Sequence, residues 1–266
     1  MQPCPHPPAA SGPPGVFPWM LLLLLLGSFL RPTTASCGES PEERYRRLYQ
    51  TEKRRWEQSN TNAEAGWEFA RACFDWADLA ATDGQRARIA QEGIVAARHA
   101  VELEPGSAPA RYYLGLNLGQ LAQTKLLGAL KLLDEMESAW KQSLALDPQF
   151  DYAGAHRSLG LLYRDAPGWP ASLGDRTKAR QHLRKAVALS PDYPDNQLFL
   201  LESYLKWGEK KAAADEIPAI EEILKSARTK LSGDAWVLSW RDWDQRWEKI
   251  KAKTSVPTAT SPRASH

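Results

Sequence analysis

The sequence predicts an all-α protein, a helical solenoid of about four helix pairs closed by a C-terminal capping helix. Three observations predict it. First, the segments "AARHAVELEP" (96–105), "AWKQSLALDP" (139–148) and "ARQHLRKAVALSP" (179–191) align without gaps. Their closing prolines, Pro105, Pro148 and Pro191, stand 43 residues apart twice over. Second, the residue sizes before each proline keep one register. Third, four tryptophans near the C-terminus recur at helical steps. Self-similarity at a fixed period marks supersecondary units that stack to bury a shared core.

The register runs through all three segments. Five residues before the proline stand Ala100, Ser143 and Ala186, all small. Eight before it stand Ala97, Trp140 and Leu183, and two before it Leu103, Leu146 and Leu189. These positions are expected to share one helical face, with the proline ending each helix. A small residue lets the neighbouring helix approach closely, which a solenoid requires.

Each segment has a partner in the chain. "NTNAEAGWEFARACFDWADLAAT" (60–82) precedes "DGQRARIAQEGIVAARHAVELEP" (83–105). "RYYLGLNLGQLA" (111–122), "HRSLGLLYRD" (156–165) and "NQLFLLESYLKWG" (196–208) follow the three prolines and carry Leu, Gly and Tyr at helical spacing. The repeat domain therefore covers 60–230. Residues 37–59 are expected to be a linker or the start of the first helix. In "DAWVLSWRDWDQRWEKI" (234–250), Trp236, Trp240, Trp243 and Trp247 lie at steps of 4, 3 and 4, with Ile250 continuing the stripe. Within 231–253 this is a helix that covers the open apolar end of the array, or else presents a partner surface. The tail 254–266 is polar and proline-containing, and disorder is expected there.

The N-terminus has a separate logic. "VFPWMLLLLLLGSFL" (16–30) is an apolar run too short to span a bilayer comfortably, and "RPTTASC" follows. Residues 1–36 read as an export signal, although no Lys or Arg precedes the apolar run, and an uncleaved anchor is the alternative. "TTASC" is similar to a bacterial lipobox, with Cys37 as the residue lipidated; simple cleavage near Ser36 is the other reading. Cys37 could also pair with Cys73, but Cys73 sits in a helical core pattern and is expected to be a buried small hydrophobe. The cysteines show no metal-ligand spacing.

The helix pairs resemble the A and B helices of tetratricopeptide repeats (TPRs). In that comparison the second and third units carry inserts of about nine and seven residues between A and B. The first of these is leucine-rich, "QTKLLGALKLLDEM" (123–136), and is expected to continue as helix. The other is "DAPGWPASLGD" (165–175), where prolines stiffen the chain and glycines permit turns. The stretch "SLALDPQFDYAGAHRSLGLLYRDAPGWPASLGDRTKARQHLRKAVALSPDYPDN" (143–196), with "GWEFARACFDWADLA" and "ARYYLGLNLGQLA", is similar to the T-components of TRAP transporter systems. The resemblance implies a periplasmic TPR protein, often a lipoprotein, that oligomerises and docks a solute-binding protein. It also implies a small organic ligand in a pore, and membrane attachment by a lipid anchor only.

The remaining function classes are judged on residues. A formal charge of +2 over 266 residues offers no nucleic-acid footprint. The sequence has no GxSxG, HExxH, P-loop or dinucleotide turn, so neither an enzyme nor a cofactor or metal is expected. His99 and His182 are read as surface or core residues of B helices. The expected role is a non-catalytic scaffold; a general envelope adaptor and a direct small-ligand carrier are the alternatives. The expected contacts of a cleft formed by the two inserts are Trp169, Tyr163, Arg164 and Asn117. The insert around Trp169 is a rigid connector in the plainer reading.

Overall fold

The computed structural model describes residues 39–125, 129–168 and 171–255. Cys37, Trp169, the apolar run and the C-terminal tail lie outside the described residues. The described residues form ten α-helices in sequence: α1 (Pro41–Gln58), α2 (Ala63–Asp78), α3 (Asp83–Leu103), α4 (Ala108–Gln123), α5 (Ala129–Leu146), α6 (Phe150–Asp165), α7 (Arg176–Leu189), α8 (Pro194–Lys206), α9 (Lys210–Lys230) and α10 (Val237–Thr254). The fold is an all-α solenoid.

Helices α2/α3, α4/α5, α6/α7 and α8/α9 are the four pairs, each packed on the next. The three B helices α3, α5 and α7 stop at Leu103, Leu146 and Leu189, two residues before their prolines. This follows from the clash of a proline ring with a preceding helical residue. Among the A helices, α2 is capped by Asn62, which accepts from the N–H groups of Glu64 and Ala65. Residues Pro41–Gln58, in the stretch expected to be linker or first-helix start, form a helix of their own. Its signal is "SPEE": Ser40 and Glu43 form a capping box, with Pro41 in the first turn.

Two of the three register positions are core, and one is not. Ala100, Ser143 and Ala186 are fully buried, and Ala97, Trp140 and Leu183 are buried beside them. Leu103 and Leu146, expected on the same face, are exposed. Helical geometry explains the correction: six residues from the first position to the last rotate the side chain about 120° away from the seam. The large members pack on A-helix glycines. A Cβ on Gly115 would run into the Trp140 ring, and one on Gly160 would stand 2.6 Å from Leu183. Ala186→Leu should therefore cost about 1–3 kcal/mol by overpacking a closed helix contact. A urea titration giving wild-type stability would show that this seam has room.

The extra residues of the units are used in different ways. In the second unit the stretch expected to continue as helix is interrupted: α4 ends at Gln123, Thr124 turns, and α5 begins at Ala129. In the third they make a closed loop. Gly174 donates its N–H to the Pro167 carbonyl (2.8 Å), and Asp175 donates to the Tyr163 carbonyl (2.9 Å). A Cβ on Gly174 would collide with the Ala166 carbonyl, so only glycine fits there. Asp175 then caps α7 through the N–H groups of Thr177 and Lys178.

Trp236, Trp240, Trp243, Trp247 and Ile250 are all buried, and α10 packs on α8 and α9. Trp243 meets Tyr193 edge-on at 5.7 Å and Trp240 at 4.8 Å. The stripe is thus used inside the fold, covering the last pair. Apolar burial falls into two clusters, one spanning α1–α7 and the other α6–α10. A polar layer lies where they meet.

Candidate functional site

The polar layer is built on an unusual start to α6. Asp151, Tyr152 and Ala153 have φ of 51°, 56° and 62°, three left-handed residues in a row without a glycine. Each costs roughly 1–2 kcal/mol against the right-handed form. Buried contacts offset that cost. Asp151 accepts from the Tyr112 hydroxyl (2.7 Å) and from Arg157 (2.9 Å). Arg157 donates to Asn196 Oδ1 (3.1 Å), and Asn196 donates to the Tyr152 carbonyl (3.0 Å). The Tyr152 ring, turned by this backbone, stacks on Tyr193 at 4.3 Å. Burial pushes the Asp151 carboxyl up, opposed by Arg157 and the Tyr112 hydroxyl. Tyr112, on α4, thereby joins the second pair to the third.

Further ionisable groups are buried or half-buried elsewhere in the array. On α2, Asp75 lies 3.8 Å from Arg71. Burial pushes Asp75 up to about 7, with Arg71 opposing and Asp151 and Asp78 adding to the rise. Asp78 is pushed up to about 6 by burial, although Gln120 donates to it and Arg86 also opposes the rise. At the other end Arg246 of α10 is buried and donates to Asp195 (2.7 Å), Glu202 (2.7 Å) and Asp242 (3.1 Å). Between them Arg164 pairs with Asp165, which also accepts from Lys206 (2.6 Å).

A raised native value means that folded Asp75 and Asp78 hold protons that the unfolded chain has released. Between about pH 4 and 7 stability from these two groups is lost as pH rises. Asp75→Asn should therefore leave stability near pH 4 unchanged and raise it by about 1–2 kcal/mol at pH 8. Urea titrations at the two pH values check this, and an equal effect at both would count against a titrating Asp75.

Of the expected contact residues, the three that are described are each bound within the fold. Asn117 is fully buried, and its Nδ2 donates to the carbonyls of Ala70 (2.8 Å) and Tyr113 (2.8 Å). It ties α2 to α4. Tyr163 is buried, and its hydroxyl donates to Glu137; burial and that carboxylate push it well up. Arg164 is largely buried and also donates to Ser203 (3.2 Å), which joins α6 to α8. Trp169 lies outside the described residues. His182 meets His156 with their Nδ1 atoms 2.9 Å apart, and burial pushes His182 down to about 4, with His156 adding. His99 sits at the surface against the Asn60 carbonyl (2.6 Å). Cys73 is buried, and burial pushes its thiol up.

The ionisable residues missed by sequence reasoning are Asp75, Asp151, Arg157, Asp195 and Arg246. Their only signal is a charge inside an apolar helical pattern, as in "FDWADL" and "AHRSLGLL".

Residues 34–161 match the family model described as regulator of microtubule dynamics protein 1-3. No curated protein matches the chain. Among solved structures, TTC0263, a thermophilic TPR protein of Thermus thermophilus, is 19% identical with a TM-score of 0.57; the match covers 79% of this chain and 91% of that one. MamA is 17% identical with a TM-score of 0.48, covering 70% and 96%. The MamA RS-1 ArsTM double mutant is 21% identical with a TM-score of 0.38, covering 72% and 99%. In fold, the chain is a TPR-like helical repeat protein.

Proposed function

We propose that this chain is a non-catalytic scaffold that binds another protein. One observation carries the reading: buried polar and ionisable side chains bind one another and join successive helix pairs, as Tyr112, Asp151, Arg157 and Asn196 do. They hold the array rigid, and a rigid array loses little entropy when a partner docks. Function here belongs to surfaces presented by the repeat.

Two partner classes fit, each favoured by a different observation. The apolar run 16–30 with "TTASC" favours export, lipidation at Cys37 and a periplasmic place beside a TRAP-type solute-binding protein, with homo-oligomers and a small organic ligand in the array. The match over 34–161 favours a partner from microtubule regulation. Mass spectrometry of the native N-terminus separates them. A chain beginning at or near Cys37 supports the first class, and a retained Met1 segment overturns it. Co-sedimentation of the purified chain with polymerised tubulin tests the second; a chain that stays in the supernatant counts against it. Trp169→Ala, assayed with whichever partner is found, tests the insert as a contact.

A further inference from the structure

A basic cleft of about 650 Å³ opens between the end of α8, the start of α9 and the last turns of α10. Lys206, Lys210, Arg246, Lys249 and Lys253 line it, with Glu202 the sole acid among its lining residues. Two of the five cations are already satisfied: Arg246 by Asp195, Glu202 and Asp242, and Lys206 by Asp165. Lys210, Lys249 and Lys253 are exposed and have no ion pair among the described residues. Leu205 and Ile250 supply an apolar floor.

We infer that this cleft binds an extended acidic segment of a partner protein, an inference that rests on the scaffold reading and names the partner's chemistry. Charge and spacing carry it. Lys249 and Lys253 stand one turn apart on α10, about 6 Å of rise. Side chains on one face of an extended chain repeat every ~6.6 Å, so alternate carboxylates meet both lysines. The residues between them turn toward Leu205 and Ile250. Residues 1–38 and 256–266 contain no Asp or Glu, so neither stretch supplies the acidic segment. An acidic protein segment fits better than a nucleic-acid backbone: the cleft is short and apolar at its floor.

The test uses the full chain and a fluorescein-labelled peptide of alternating glutamate and leucine, read by fluorescence anisotropy. A copy with glutamine for glutamate is the control. The acidic peptide should bind and the glutamine copy should not. Lys249→Gln with Lys253→Gln should weaken binding about five- to tenfold, as expected for losing two exposed charge contacts. Lys131→Gln with Lys225→Gln, exposed elsewhere, should leave it within about twofold. Unchanged binding by the cleft variant overturns the inference. So does equal binding of the glutamine copy, or preference for heparin or anionic vesicles over the acidic peptide. Cross-linking of both forms in cells separates the two levels. A protein captured equally by wild type and cleft variant overturns the cleft and keeps the scaffold, and no captured protein in either overturns both.

Discussion

Arg157→Ala should lower stability by about 3–5 kcal/mol, the cost of leaving a buried charge without its partner. Arg157 is 5% exposed, and its removal strands Asp151, which burial already pushes toward the neutral form. The damage extends to the backbone. Arg157 also lies against the carbonyls of Asp151 and Tyr152, at 3.4 and 3.3 Å, within the left-handed turn. Without those contacts the turn keeps its strain and loses what offsets it. Asp151→Asn alone should also destabilise. The pair Asp151→Asn with Arg157→Ala should cost less than the sum of the singles, because removing both charges leaves neither one buried without its partner. Urea titrations of the four proteins complete the cycle. Additive losses, or a cost for Arg157→Ala under about 1 kcal/mol, would mean that the layer does not act as a unit.

Trp243→Ala should cost about 3–5 kcal/mol, the range for truncating a fully buried large aromatic. Trp243 is 1% exposed and packs against Tyr193, Trp240 and Trp236. The loss should be local first. Hydrogen exchange should rise across α10 and the facing side of α8 before it rises in α2 or α3, because end units of a repeat array lean on one neighbour only. Uniform loss of protection across the chain would show that α10 is integral to a single cooperative unit. Arg246 makes this more than a packing test. It sits on the same helix and bonds Asp195 and Glu202 of α8, so release of α10 would strip both carboxylates of their partner and open the basic cleft.

The difference between what is legible in the sequence and what is not follows from the range of the interactions involved. Helix ends, the spacing of the prolines, the buried small residues at Ala100, Ser143 and Ala186, and the tryptophan stripe all depend on neighbours within a few turns. Local sterics and a 3.6-residue period set them, and both leave a periodic trace in the chain. Leu103 and Leu146 show the limit even here: an apolar residue at a repeat position still turns to solvent when the helix phase has drifted. Asn117 shows the limit for sites. A polar residue on an A helix looks available to a ligand, but its partners are the carbonyls of Ala70 and Tyr113, one of them on another helix. The left-handed turn at Asp151, the Tyr112–Asp151–Arg157–Asn196 layer and the clustering of Lys206 and Lys210 with Lys249 and Lys253 join residues tens of positions apart. No local preference encodes them: "DYA" carries no glycine to announce a left-handed turn, and each lysine alone is an ordinary solvated charge. Only the stacking of the pairs decides which charges are buried together and offset one another, and which are left facing a cleft unpaired.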